Sequence, residues 1–263
     1  MTDDDKKYCY RYPHPAVTAD CVIFGFDGER IKILLIERGL EPYKGMWALP
    51  GGFMHIDETI EQTARRELCE ETGLREIYLE QFKVFSGVDR DPRERVITVA
   101  FIALVRPDDY RLTAGDDAAN AMWFDDRYLP PMAFDHAAII KSAREHLSEA
   151  LRVRPLAFKL LDKYFSMSEL QRVYEAITGA NYDRRNFQRK AMQSGLLVED
   201  NADESSCAEL SVPMIAPCCA ETDTKYMKQP GPRARKKLFT YNKKRKRDGD
   251  DEDEASIRDI FNF

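Results

Sequence analysis

Runs of alternating or continuous apolar positions predict that residues 1–151 form one α/β unit. β-branched and aromatic residues concentrate in five runs that predict strands. These are 17–26, 31–37, 77–88, 96–105 and a short strand at 122–124. Apolar residues at helical spacing predict a helix over 134–151. A further helix fits 58–72. The order of these elements predicts an α/β/α sandwich around a mixed sheet.

A second, mostly helical unit follows the joint at 152–155. One helix is predicted over 156–165, and Ser166 with Glu169 forms a capping box that opens a second helix over 167–178. A third helix, capped by Asn181 or Asp183, spans 184–194, and 196–198 reads as a strand. Three helices and a strand in ~45 residues predict a helix-turn-helix.

The last part of the chain has little apolar periodicity. We predict a flexible insertion at about 199–229, a returning strand at 237–242, and a domain that ends near 247. Residues 248–263 then form a tail that begins with six acidic residues. The basic run 243–247 fits either phosphate binding or a solvated tail.

Charge divides the chain in the same way as the periodicity. Residues 1–151 hold 19 basic and 28 acidic residues, a net charge of −9, whereas 152–199 carry +4. Residues 231–247 hold nine basic residues and no acidic one. The acidic N-terminal part is typical of a protein that binds a metal ion, and the basic C-terminal part is typical of one that binds a polyanion. The charge pattern therefore indicates two functions.

Some function classes are disfavoured by what the sequence lacks. The six cysteines form no CxxC pair, which argues against a zinc site. No signal peptide and no apolar run of 18 residues is present. We therefore expect a cytoplasmic protein with no membrane partner.

The helix predicted over 58–72 carries the clearest chemistry. Asp57 is the expected N-cap, and Gly73 suits the left-handed position after the last turn. Glu67, Glu70 and Glu71 are spaced i, i+3, i+4, so the three carboxylates share one face. Repulsion between them is relieved by a hard divalent cation such as Mg²⁺ or Mn²⁺, although a solvated helix with Arg–Glu pairs is the plainer alternative.

Nine positions from Gly52 to Leu74 match G-x5-E-x7-R-E-U-x-E-E-x-G-U, where U is a bulky aliphatic residue. The chain therefore resembles the Nudix hydrolases, which cleave a nucleoside diphosphate linked to another group. The resemblance implies that three glutamates bind the metal and that Arg66 and Glu58 brace the loop and helix. It also implies three residues that contact the substrate. The metal ligands are Glu67, Glu70 and Glu71, the catalytic set is Glu70, Glu71, Arg66 and Glu58, and the substrate-binding set is Gly51, Gly52 and Arg90.

The flanking segments YKGMWALPGGF and DRDPRERVITVAF resemble the ADP-ribose pyrophosphatase-like Nudix proteins. This implies cleavage of ADP-ribose to AMP and ribose 5-phosphate. The catalytic base in the superfamily varies in position. Asp116 and Asp117 are candidates, and an interpretation as plain turn residues has equal weight.

The segment from Phe165 to Val198 resembles the winged helix-turn-helix of Nudix-related transcriptional regulators of NAD metabolism and sugar use. The resemblance implies binding to double-stranded DNA, as a homodimer on paired half-sites. The candidate DNA-binding residues are Arg184, Arg185, Gln188, Arg189, Lys190, Arg233 and Arg235. Two rivals remain: a ligand-sensing regulator without turnover, and a hydrolase whose rear domain serves only dimerisation.

Overall fold

The computed structural model describes residues 11–75, 77–107, 118–200 and 237–242. The front domain is built on a seven-stranded mixed sheet of order β3-β2-β1-β6-β5, in which β4 also pairs with β1 and β7 with β2. Among the strand pairs of this sheet that the structure describes, β1 and β6 run parallel and the others are antiparallel. The strands are β1 Ala16–Phe26, β2 Ile31–Arg38, β3 Trp47–Ala48, β4 Gly51–Phe53, β5 Tyr78–Phe85, β6 Val96–Val105 and β7 Ala118–Asp125.

Alternate residues of β1 pack on opposite faces of the sheet, as a strand requires. Ala19, Cys21 and Ile23 share a core with helix α1 (Ile60–Thr72). Val22 and Phe24 belong to the core that includes helix α2, His136–Ala150. The predicted sandwich is confirmed, with α1 and α2 on opposite faces of the sheet.

The predicted start of α1 is wrong by two residues. Thr59, not Asp57, is the N-cap: its hydroxyl accepts from the Gln62 N–H, and the Gln62 side chain accepts from the Thr59 N–H. Glu58 lies ahead of the helix because hydrogen bonds to the His55 N–H and the Thr63 hydroxyl hold its carboxylate. The C-terminal prediction is confirmed, since Gly73 ends the helix at φ 77°.

The described part of the rear domain contains three helical segments and a two-stranded sheet. A 3-10 helix, Leu156–Lys159, precedes α3 (Met167–Thr178) and α4 (Arg184–Gln193), and β8 (Leu197–Asp200) pairs with β9, Leu238–Tyr241. The capping box of Ser166 and Glu169 is present, and Asp183 caps α4. Glu199 and Asp200 are part of β8, although the predicted insertion starts at 199.

The predicted helix over 156–165 is wrong beyond Lys159. Phe165 instead exchanges two backbone hydrogen bonds with Phe239 of β9, with N···O distances of 3.0 and 2.8 Å. An α-helix would use these backbone groups internally. The chain therefore leaves the helix and bends after Lys159, and Leu160, Leu161 and Phe165 are buried in the core.

The two domains share one apolar core. Leu147 and Leu151 at the end of α2 belong to the same buried cluster as Leu156, Leu170 and Phe187 of the rear domain. A continuous core across a short joint restricts independent rotation of the two domains.

Some sequence-predicted features lie outside the described residues. They are Asp116, Asp117, Arg233, Arg235, the main part of the predicted insertion, the basic run 243–247 and the tail 248–263. Within the described part of the chain, no helix has the length and apolar character needed to cross a membrane.

Candidate active site and nucleic-acid interface

Arg66 is the centre of the carboxylate cluster on α1. Its guanidinium donates to Glu58 at 2.7 and 3.0 Å, to Glu67 at 2.7 Å and to Glu70 at 3.1 Å. A further N–H reaches the Phe53 carbonyl of β4 at 3.0 Å. The hydrogen bond from Arg66 lowers the pKa of Glu58 to about 2. This arginine therefore ties the start of α1 to the loop and orients two of the three predicted metal ligands.

Glu71 is partly buried, whereas Glu70 is exposed. Glu71 accepts the Gly51 N–H at 2.8 Å. Burial raises its pKa to about 8, and the charges of Glu67 and Asp20 add to the effect. A buried carboxylate beside two further carboxylates gains stability when a cation neutralises it.

Two glycines permit the close approach of β4 to its neighbours. Gly51 has φ 153°, and a Cβ there would lie 2.1 Å from the Ala19 carbonyl oxygen. A Cβ on Gly52 would lie 2.3 Å from Oε1 of Glu67. Any side chain at Gly52 would therefore displace the Glu67 carboxylate.

The donor set fits Mg²⁺ or Mn²⁺ in its chemistry, because all three side chains offer carboxylate oxygens. Their orientation in this structure is set by protein contacts: Glu67 and Glu70 face Arg66, and Glu71 faces Gly51. Among the residues that the structure describes, no three His, Cys, Asp or Glu side chains converge as a metal-binding group.

A cavity of about 440 Å³ brings the predicted catalytic and substrate-binding residues together. Glu67, Glu70, Glu71 and Arg66 line it, as do Gly51, Gly52 and Arg90. Glu58 is not among the lining residues and contributes through Arg66. The cavity can accommodate a ligand of nucleotide size.

Arg90 was predicted to bind substrate, yet two carboxylates hold most of its guanidinium. It donates to Asp135 at 2.8 and 3.1 Å and to Asp20 at 3.2 Å, and its side chain is 5% exposed. His136 lies beside this network and accepts the Leu49 N–H at 2.9 Å through Nδ1. The network joins β1, the loop before β6 and the start of α2 at the wall of the cavity.

Among the lining side chains that sequence reasoning missed are Asp20, Arg38, Arg93 and Phe134. Asp20 offered a signal, since it is a charged residue inside an apolar strand pattern. The other three come from separate loops and strand ends. Their proximity depends on tertiary packing alone.

Helix α4 presents a basic outer face. Phe187 and Ala191 are buried, and Phe187 packs edge-on against Tyr174 of α3 at 5.7 Å between ring centroids. Four of the five predicted DNA contacts on this helix are exposed, and Lys190 is half-buried. The exposed four are Arg184, Arg185, Gln188 and Arg189. They are spaced i, i+1, i+4, i+5, so they share one face.

A profile of the NUDIX domain matches residues 14–147, which is about half of the chain. A profile of the NrtR DNA-binding winged helix domain matches residues 157–207. The chain belongs to the Nudix family and carries the NrtR winged helix domain. The predicted family and fold class are thereby confirmed.

Two curated relatives match different lengths of this Nudix protein. An ADPR responsive transcriptional repressor from Acinetobacter baylyi is 34% identical over 201 residues, covering 75% of this chain and 79% of the relative. An ADP-ribose pyrophosphatase from Methanocaldococcus jannaschii is 48% identical over 138 residues, covering 52% of this chain and 78% of the relative. The first similarity extends into the rear domain.

Solved structures of similar architecture cover both domains. Shewanella oneidensis NrtR complexed with a 27mer DNA has a TM-score of 0.64 at 28% identity, covering 86% of this chain and 93% of that one. A MutT/nudix family protein from Enterococcus faecalis has a TM-score of 0.66 at 26% identity, covering 91% of each chain. This Nudix protein therefore shares a two-domain architecture with a DNA-bound relative.

Proposed function

We propose that this protein hydrolyses ADP-ribose to AMP and ribose 5-phosphate and also acts as a DNA-binding transcriptional regulator. The observation that carries the proposal is the complete Nudix motif, with Glu67, Glu70 and Glu71 together at one cavity of a chain that also bears a winged helix. The relatives described as an ADP-ribose pyrophosphatase and as an ADPR responsive repressor support the two halves separately.

In this proposal Glu67, Glu70 and Glu71 hold Mg²⁺ or Mn²⁺, which when bound neutralises the diphosphate and activates water. Other residues of the chain position these three carboxylates. Arg66 orients Glu67 and Glu70, Glu58 holds Arg66, and the Gly51 N–H holds Glu71. The expected base at Asp116 or Asp117 stays a prediction.

On the DNA side, we propose that α4 enters the major groove as a recognition helix, and that the protein binds as a homodimer. The exposed Arg184, Arg185, Gln188 and Arg189 carry the donors that contact phosphates and base edges. Lys190 adds charge at the side of the helix, and Arg233 and Arg235 of the predicted wing complete the set.

Hydrolysis is tested with a panel of nucleoside diphosphate compounds, with Mg²⁺ and with EDTA, read out by product analysis. We expect ADP-ribose to give AMP and ribose 5-phosphate in Mg²⁺ only. Glu71→Gln should reduce turnover by roughly a hundredfold or more, because a group that stabilises charge in the transition state is lost. Glu61→Gln is the matched control, since Glu61 lies on the same helix outside the cavity.

Two results would change the proposal. Wild-type turnover in Glu71→Gln would overturn the site assignment. Absence of hydrolysis across the panel, with ADP-ribose still bound, would make the protein a ligand-sensing regulator without turnover.

A further inference from the structure

Two arginines from separate parts of the chain meet at one aromatic ring in the cavity. The guanidinium carbon of Arg38, at the end of β2, lies 4.8 Å from the ring centroid of Phe134. That of Arg93, in the loop before β6, lies 5.6 Å from the same centroid and 5.1 Å from that of Phe53. All four side chains line the cavity that contains the carboxylates of α1.

The positive charge of this pair is only partly compensated. Asp91 binds Nε and one terminal nitrogen of Arg93, at 3.0 and 2.7 Å. Arg38 donates from Nε to the Pro42 carbonyl at 2.9 Å, and in the part of the chain that the structure describes no carboxylate lies within salt-bridge distance of it. Burial first, and the charge of Arg93 second, lower the pKa of Arg38, although Glu71 and nearby aspartates oppose the shift.

The protein holds this arrangement against backbone strain. Phe134 has φ 52° and Tyr43 has φ 67°, a region that bulky residues rarely adopt. The two rings contact each other edge-on at 4.8 Å between centroids. Such strain persists where the surrounding structure enforces it, and it is concentrated at binding sites. The ring of Phe134 is therefore a fixed support for both guanidinium groups.

We propose that Arg38 and Arg93, supported by Phe134, form an anion subsite that contacts the phosphate oxygens of a nucleoside diphosphate ligand. The proposal rests on the proposed function and names the part of the ligand that these residues recognise. Guanidinium groups donate in a planar fork that matches phosphate oxygens, and an aromatic support limits the rotamer freedom lost on binding. Arg93 keeps a 40% exposed side chain beside its single carboxylate partner, whereas Arg90 is 5% exposed and held by both Asp20 and Asp135, so Arg90 has a positioning role instead.

The subsite predicts selectivity for the number of phosphates. Two guanidinium groups beside one another match a diphosphate better than a single phosphate, and they have no role for an uncharged nucleoside. ADP-ribose and ADP should therefore depend strongly on both arginines, AMP less so, and adenosine not at all.

The test is calorimetric binding of ADP-ribose, ADP, AMP and adenosine to the full-length protein, with Ca²⁺ replacing Mg²⁺. Arg38→Gln and Arg93→Gln should each weaken ADP-ribose and ADP by about ten- to a hundredfold, as expected for a lost charge-assisted hydrogen bond. Arg38→Lys should restore part of the affinity. Arg127→Gln is the matched control, because Arg127 binds Asp125 outside the cavity.

The binding results distinguish a failure of the anion subsite from a failure of the proposed function. Unchanged ADP-ribose affinity in both glutamine variants would overturn the subsite and leave the function intact, and so would an equal loss for adenosine and ADP. Wild-type binding of ADP without ADP-ribose, weakened in both variants, would support the subsite and overturn the substrate. A wild-type protein that binds none of the four overturns both. Arg93 is partly exposed, so its variant gives a result even if Arg38→Gln does not fold.

Discussion

Arg154 binds Glu80 across the joint between the two domains. One terminal nitrogen of Arg154 lies 2.6 Å from the Glu80 carboxylate, and the other lies 2.7 Å from the hydroxyl of Tyr78. Both partners belong to β5, whereas Arg154 follows the last turn of α2. The joint is thus fixed to the sheet of the Nudix domain. A displacement of α2 at the cavity, where His136 begins the helix, would be transmitted to the rear domain and not absorbed.

The first prediction concerns this coupling. In the Glu71→Gln background, ADP-ribose should shift the midpoint of a DNA titration, and DNA should shift ADP-ribose affinity by the same factor. A coupling of about 1–3 kcal/mol is typical, and by resemblance to the regulator group we expect weakened DNA binding. Arg154→Gln should bring the factor by which ADP-ribose changes DNA affinity towards one, because the joint loses its attachment to β5.

Fluorescence anisotropy with a duplex from the protein's own promoter region measures the shift. Arg152→Gln is the matched control, as Arg152 is an exposed arginine two residues away. If ADP-ribose shifts the DNA titration midpoint equally in Arg154→Gln and in the control, the contact between Arg154 and Glu80 does not transmit the coupling. Superimposed titrations with and without ADP-ribose would exclude it as the effector.

The second prediction concerns Gly52. Gly52→Ala places a Cβ where Glu67 now lies, so the carboxylate must rotate away from Arg66. Turnover of ADP-ribose should fall by roughly a hundredfold, the usual cost of misplacing a catalytic group by about 1 Å. Thermal unfolding should change little, because the displaced atoms are the end of a flexible side chain. Gly87→Ala is the control, since a Cβ there meets only Arg90 at 3.7 Å; equal activity of the two variants would contradict the role of Gly52.

The third prediction concerns α4. Arg185→Ala or Gln188→Ala should cost about 1–3 kcal/mol on the cognate site if the side chain reads a base. Wild-type affinity should fall steeply with salt, because phosphate contacts release counterions. Lys141→Ala on the exposed side of α2 controls for loss of charge. Equal affinity for genomic and scrambled duplexes would reduce the rear domain to nonspecific binding.

The fourth prediction concerns pH and His136. Burial lowers the pKa of His136 in the folded state; Arg90 acts in the same direction, and Asp20 and Asp135 oppose it. The unfolded chain, with a histidine pKa of about 6.5, therefore binds the proton first. Stability should be fully present above that pH and should fall below it, by up to about 1.4 kcal/mol per pH unit.

His136→Asn keeps an acceptor for the Leu49 N–H and removes the titration. The difference in unfolding free energy between this variant and wild type, measured in denaturant from pH 8 to pH 5, should therefore change in favour of the variant as the pH falls. A constant difference over that range would show that His136 does not control acid stability.

Local signals in the sequence were sufficient for several elements. The capping box of Ser166 and Glu169 and the glycine at 179 predict α3 at the bounds that the structure has, because caps act within one turn. The spacing of Glu67, Glu70 and Glu71 places them on one helical face for the same local reason. The strand at 96–105 is likewise found as Val96–Val105, since a continuous β-branched run has no competing helical period.

Local signals failed where a side-chain network or a pairing strand competes with the local preference. Asp57 is a good capping residue, yet Arg66 and Thr63 hold Glu58 and the helix starts after Thr59. Residues 160–165 have helical periodicity, but Phe165 pairs with Phe239, 74 positions later. A backbone group can hydrogen-bond to only a few partners, and the partner that the folded chain supplies outweighs a weak intrinsic preference.

The sequence by itself determined the family, the order of elements and the acidic face of α1, because each depends on spacing within a few turns or strands. The tertiary structure decided what surrounds that face. Asp20, Arg38, Arg93 and Phe134 come from four separate segments, and no period or motif links them. Their meeting depends on sheet order and loop closure, which are properties of the whole chain. The fixed position of Arg90 and the attachment of the joint through Arg154 were decided in the same way.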